Sequence, residues 1–245
     1  MRALVGTSGW QYRHWRGSFY PRELAASAWL PHYAARFPTV EVNASFYRLP
    51  RRETVERWAA AVPVGFVLTF KASRYVTHIR RLRECAEPLE RMWEVFTGAG
   101  DKLGPVLFQL PPTLRVDEPL LAAFLGSLPS RMRAAFEFRH PSWFTGRVLD
   151  DLDAVGAALV HADRPGAHAE IPGVGGWTYL RFHQGRHAGA AYRRSKLRAY
   201  ADAIAAARPA ELFAYFNNDQ EAAAPHDAAV LMGLLADRRD EVTAG

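Results

Sequence analysis

Carboxylates, cations and amides recur in this sequence at one kind of place, the closing residues of short apolar runs. Glu41 and Asn43 close TVEVN, Lys71 closes VLTFK, Gln109 follows LF, Glu137 and Arg139 close AFEFR, and His161 and Asp163 close LVHAD. Arg181 and His183 close YLRFH, and AYFNND supplies Tyr215, Asn217, Asn218 and Asp219. Side chains alternate along a strand. If Val40 and Val42 face one way, Glu41 and Asn43 face the other; Phe136 and Phe138 fix Glu137 and Arg139 in the same manner, as Leu180 and Phe182 fix Arg181 and His183. Buried ionised groups are costly unless paired or solvated, so polar groups gathered at the same end of several strands predict a functional cavity with partial internal pairing.

Two carboxylates can divide acid and base work when their environments differ. Glu41 and Glu137 fit that role on a glycosidic or phosphodiester bond. Nearby arginines keep both ionised, which favours base or anchoring roles, and leaves His183 as the proton donor with Asp163 in the same acid/base set. Lys71, Arg139 and Arg181, with the amides of Asn43, Gln109, Asn217 and Asn218, suit an anion: phosphate, carboxylate or a nucleotide. Arg74, Thr77 and His78 of SRYVTH add to that rim, as does Asp219 after the last strand. Among so many carboxylates Lys71 is expected to pair rather than form a Schiff base. Glu41, Glu137, Asp163 and His183 would make an oxygen and imidazole metal set, but three inward cations oppose it, so neither metal nor cofactor is expected. No serine stands in a nucleophile-elbow context.

The elements that must position these groups alternate. Strands are expected over 2–7, 39–43, 66–71, 105–110, 134–139, 157–163, 177–183 and 211–217. Helical patterns fall over 23–36, with a break or kink at Pro31, and over 53–61, 86–97, 118–127, 147–155, 193–207 and 226–236. Alternation of this kind means parallel strands joined by crossovers, and eight units close into a TIM-type (β/α)8 barrel, whose sites lie at the C-terminal strand ends. An open doubly wound sheet would want a phosphate-binding glycine motif at its first turn, which GTSGWQ does not match. GTSGWQYRHWRGSFYP becomes the loop after the first strand. Within it Trp10 is expected to touch ligand, while Trp15, Phe19 and Tyr20 pack on the rim.

The 245 residues suit one barrel domain, 1–245, without linker or repeat. No apolar run reaches membrane-spanning length and the N-terminus meets glycine before a signal region forms, so a cytoplasmic protein without membrane contact is expected. Cys85 is the one cysteine, which excludes an internal disulfide. A net charge of +6 is a mild bias toward anionic partners. His14, His32 and His226 are read as surface residues.

GTSGW, WRGSFYP, TVEVNASFYRLP, FKASRYVTH, DKLGPVLFQLPP, FEFRHPSWF, YLRFH and YFNND, in that order, resemble the YecE-like family, domain of unknown function 72. The resemblance runs from Gly6 to the last helix. It implies a TIM-type barrel, in agreement with the strand count, and a site location without a reaction. After YFNND the family pattern commonly carries a glycine and then an asparagine; this chain has Ala222 and Asp227. Two functional expectations follow. One is a cofactor-independent, hydrolase-like enzyme for a small anionic or phosphate-containing substrate; the other is a nucleic-acid or anionic-ligand binder without turnover, its loop aromatics stacking on bases.

Overall fold

Each of the eight apolar runs is a strand in the computed structural model of the chain, which describes residues 1–163, 171, 173–183 and 191–243, with side chains through Arg238. The strands are β1 (Arg2–Thr7), β2 (Thr39–Val42), β3 (Val67–Lys71), β4 (Leu103–Gln109), β5 (Ala134–Glu137), β6 (Ala158–Asp163), β7 (Thr178–Phe182) and β8 (Glu211–Phe216). Between them run α1 (Trp29–Ala34), α2 (Ala44–Tyr47), α3 (Arg52–Ala60), α4 (Ala86–Phe96), α5 (Glu118–Gly126), α6 (Gly146–Ala154) and α7 (Arg194–Ala207), and α8 (Ala223–Thr243) ends the chain. One sheet holds all eight strands in the order β1-β8-β7-β6-β5-β4-β3-β2, the order of a TIM-type (β/α)8 barrel. No helix among the described residues is long and apolar enough to cross a membrane.

Three local outcomes differ from expectation. The helix expected over 23–36 is only Trp29–Ala34. Pro31 is its third residue, where an amide has no partner within the helix, so the ring causes no kink. α2 and a π-helical segment, Tyr75–Ile79, are too short to show a period in sequence. A third, a geometry not read from the sequence, is the tight turn before β7, which holds Gly175 at φ 78°, where a β-carbon would lie 2.5 Å from the Ala157 carbonyl oxygen.

Packing groups the chain into two compact units, Met1–Val40 with His161–Gly173 and Trp177–Gly245, and Glu41–Val160 with Val174–Gly176. In the first unit β8 pairs with both β1 and β7, and α8 packs on β1 and α7. Tyr33 pins α1 beneath β1: its hydroxyl accepts from the Thr7 amide at 2.8 Å and donates to the Thr39 carbonyl at 2.9 Å. Burial holds that phenol protonated far above its ordinary range. Gly6 allows this approach, since a β-carbon there would stand 2.1 Å from the Thr39 oxygen. The aromatic loop after β1 packs onto itself. Tyr20 stacks on Trp29 at 5.0 Å and donates to the Trp10 carbonyl at 2.7 Å, and Trp15 is fully buried.

The second unit pairs β3 with β4, β4 with β5, and β5 with the start of β6. Its core is aromatic: Phe108 stacks on Phe136 at 5.3 Å and meets Phe124 edge-on at 5.4 Å. Asp117 and Thr145 cap α5 and α6 by accepting from Leu120 and Val148 amides, at 3.1 and 3.2 Å. Each cap satisfies an amide that the helix leaves open.

Candidate functional site

Polar side chains gather at the C-terminal strand ends of each unit. In the second unit Glu41, Lys71, Gln109 and Glu137 are buried. Glu137 is engaged on both oxygens: Oε2 accepts from Gln109 Nε2 at 2.9 Å and Oε1 from Arg139 Nε at 2.9 Å. Arg139 lies just past β5 and its side chain is 31% exposed. Because Glu137 occupies Nε, the two terminal nitrogens of the guanidinium point elsewhere, and they have no partner among the described residues. That is the donor fork that recognises phosphate or carboxylate.

Around this fork the charge is positive. Lys71 Nζ lies 4.2 Å from the centroid of the Phe46 ring. Ser45 Oγ is within donating reach of the Val42 carbonyl at 2.8 Å and the Lys71 carbonyl at 2.7 Å, tying α2 to the ends of both strands. His78 sits on the π-helical segment, its edge against Phe46 at 5.0 Å and its Nδ1 2.9 Å from Thr77 Oγ1. Its pKa is held below the ordinary imidazole value, first by burial and then by the charges of Lys71, Arg74 and Arg139. Asn43, expected as an inward strand residue, is half-buried at the N-cap of α2 instead, because β2 ends at Val42. Ser142 holds loop structure: its Oγ accepts from the Val116 amide at 2.9 Å and its own amide donates to His140 Nδ1 at 3.1 Å.

In the first unit Asp163 is saturated with donors. Tyr192 Oη donates at 2.6 Å and Lys196 Nζ lies 3.0 and 2.9 Å from its two oxygens. Tyr200 also binds it; burial first, then the Asp163 charge and hydrogen bond, keep that phenol protonated. A carboxylate so occupied anchors α7 to β6. Arg181 is 1% exposed and its Nη1 donates to His183 Nε2 at 3.3 Å. Arginine only donates, so Nε2 is the acceptor there, and Asn217 Nδ2 lies 3.1 Å from His183 Nδ1. His183 therefore accepts from Arg181 at Nε2.

Asn218 Nδ2 donates to the buried Asp227 at 2.8 Å, and the Tyr192 amide donates to the same oxygen at 2.9 Å. The Asp219 carbonyl lies 2.7 Å from His14 Nε2 and accepts from Trp15 Nε1 at 3.4 Å. Both residues hold the loop after β8. Trp10 is 4% exposed and His161 5%, the latter edge-on to Tyr200 at 5.9 Å. Sequence reasoning missed Tyr192, Lys196, Tyr200, Asp227, Ser45 and Phe46. A signal existed for two of them, since Lys196 and Tyr200 stand four apart and share a helix face. Among the described residues no three His, Cys, Asp or Glu side chains are grouped to hold a metal ion.

The family model described as "Protein of unknown function DUF72" matches residues 4–244. The UPF0759 protein YecE of Escherichia coli K12 is 34% identical over 116 residues, which are 47% of this chain and 43% of YecE. The UPF0759 protein YunF of Bacillus subtilis 168 is 30% identical over 153 residues, 58% of this chain and 52% of YunF. The chain thus spans about half the length of the curated relatives it matches. A crystal structure of a DUF72 family protein from Thermotoga maritima is similar throughout, with a TM-score of 0.83 and 26% identity, covering 96% of this chain and 100% of that one.

Proposed function

The chain belongs to the DUF72 family, whose description assigns no reaction, and from that premise we propose that it is a cofactor-independent enzyme for a small phosphate- or carboxylate-bearing substrate. The anion is held on Arg139, Lys71 and His78, at the ends of β3 and β5. Glu41 is the base, and the chemistry is hydrolytic. One observation carries the reading: Glu137 fixes Arg139 through Nε while its terminal nitrogens keep their donors, in a cluster whose positive charge already depresses His78. Such a fork is preorganised, so little ordering is lost when an oxyanion docks. Glu137 is a positioning residue here, since Gln109 and Arg139 occupy its oxygens. Proton transfer is assigned to Glu41, the buried carboxylate of β2.

The same occupancy favours a second reading, a binder of anions or nucleic acid with no turnover. One experiment separates them. An oxyanion beside His78 offsets the local positive charge and must raise the ring's pKa. We expect histidine-selective NMR titration with inorganic phosphate to move the His78 transition upward saturably, and Arg139→Gln to remove the shift. Absence of the shift at millimolar phosphate would defeat both readings. If Glu41→Gln keeps the shift and abolishes hydrolysis of para-nitrophenyl phosphate, the enzyme reading stands; a shift with no hydrolysis by the unmodified chain selects the binder.

A further inference from the structure

We propose that the first unit also contains a ligand cavity, built from residues the anion clamp does not use, that takes an amphipathic monoanion: an apolar body carrying one anionic head. The cavity has a volume of about 830 Å³, and its wall includes Phe19, Phe37, Ala223, Pro225, Ala229 and Met232. Concave apolar sites with a few fixed polar groups, of about 300–1,000 Å³, are where small organic ligands bind. The loop after β1, the turn after α1 and the first turns of α8 contribute the wall. Phe19 and Phe37 present stacked rings with centroids 5.9 Å apart.

Arg36 and Glu221 carry the formal charges of the wall, which His226 also lines with its Nδ1 turned to Asp227 at 3.3 Å. Arg36 Nη1 donates to His32 Nε2 at 2.8 Å and to the His32 carbonyl at 3.2 Å, and its guanidinium lies 5.5 Å over the Phe19 ring. His32, expected on the surface, is half-buried edge-on to Phe19 at 5.6 Å and so serves as the arginine's support. Arg36 is itself exposed, but these contacts hold its positive charge at the wall, with guanidinium N–H groups left over for an acceptor. Glu221 also lines the cavity, but it is exposed and has no hydrogen bond or ion pair among the described residues, so its carboxylate turns to water. One anchored cation beside one solvated acid selects a single negative charge over two.

The wall carries an independent mark. Glu221 and Ala222, consecutive and neither of them glycine, adopt φ of 57° and 58° where they lead into α8. Backbone held in that region persists only where its surroundings over-determine it, and such residues gather at ligand sites.

The test uses the full chain with decanoate as probe and decanol and decylammonium as controls, read by the methyl resonance of Met232. Expected is a saturable shift with decanoate, roughly tenfold tighter than with decanol, the margin of one charge-assisted contact. Arg36→Gln should reduce decanoate to the affinity of decanol. Ala229→Trp should abolish both by filling the space, and Ala229→Phe reads the same occlusion should the larger ring disturb folding. No saturable Met232 shift, equal affinity for decanoate and decanol, tighter decylammonium binding, or indifference to Arg36→Gln each overturns the proposal. Neither variant touches the phosphate response of His78, so failure here leaves the clamp standing, and the reverse.

Discussion

Ala222 holds a backbone conformation, φ 58°, that a β-carbon resists. It is also the position at which the resemblance to DUF72 leads one to expect glycine, so the missing residue type and the observed dihedral explain each other. Ala222→Gly should raise stability by about 0.5–1 kcal/mol, the relieved strain less the added freedom of the unfolded chain, measured as a higher urea midpoint. His78 gives a pH dependence of known sign. Burial and neighbouring cations lower its folded pKa, so the unfolded chain takes up the proton first as pH falls. Its contribution to stability is complete above about pH 6.5 and is lost as pH drops through the folded value. His78→Gln should flatten the melting temperature over that window. At this scale the sequence was readable where a charge interrupted an apolar run: Glu41, Lys71, Gln109, Glu137, Asp163 and Arg181 are all buried as alternation implied. Asn43, Arg139, His183 and Asn217 stand just beyond strand ends, where alternation no longer determines direction.

The elements explain why the partners of Asp163 were not legible in sequence. Its partners come from residues 192–200, and a strand's own sequence says nothing of what the following helix will bring to it. Lys196 and Tyr200, one helical turn apart, deliver donors from α7, and Tyr192 adds a third. Tyr192→Phe should cost about 1 kcal/mol in chemical denaturation, the net worth of one buried hydrogen bond. The strands themselves were legible because aliphatic and aromatic runs bounded by turn residues carry their own limits, and because β5 and its neighbours are buried on both faces. α1 was not. Its expected start at Glu23 followed amphipathic spacing, but Ala26–Ala28 form a separate 3-10 turn and the Leu24 carbonyl accepts from Trp29 Nε1 at 3.2 Å.

At the scale of the molecule a net charge of +6 draws polyanions whether or not a site exists. The general field and the clamp separate experimentally. Arg139→Gln should leave the salt concentration for elution from heparin nearly unchanged, since it removes one charge of many, yet eliminate the phosphate response of His78. A large change on heparin would place Arg139 in a polyanion-binding face instead. The fold was legible at this scale from alternation alone, because eight strand and helix units in one chain leave few ways to keep every strand parallel.

β1 and β8 pair residue for residue, from Arg2 with Glu211 to Thr7 with Phe216, partners as much as 209 positions apart. β1 is thus made 209 residues before the strand that pairs with it, and over that interval its hydrogen-bonding edge stays open to mispairing. The stretch Glu41–Val160 has no such wait. A fragment that stops before residue 211 leaves β1 without the strand that covers this edge.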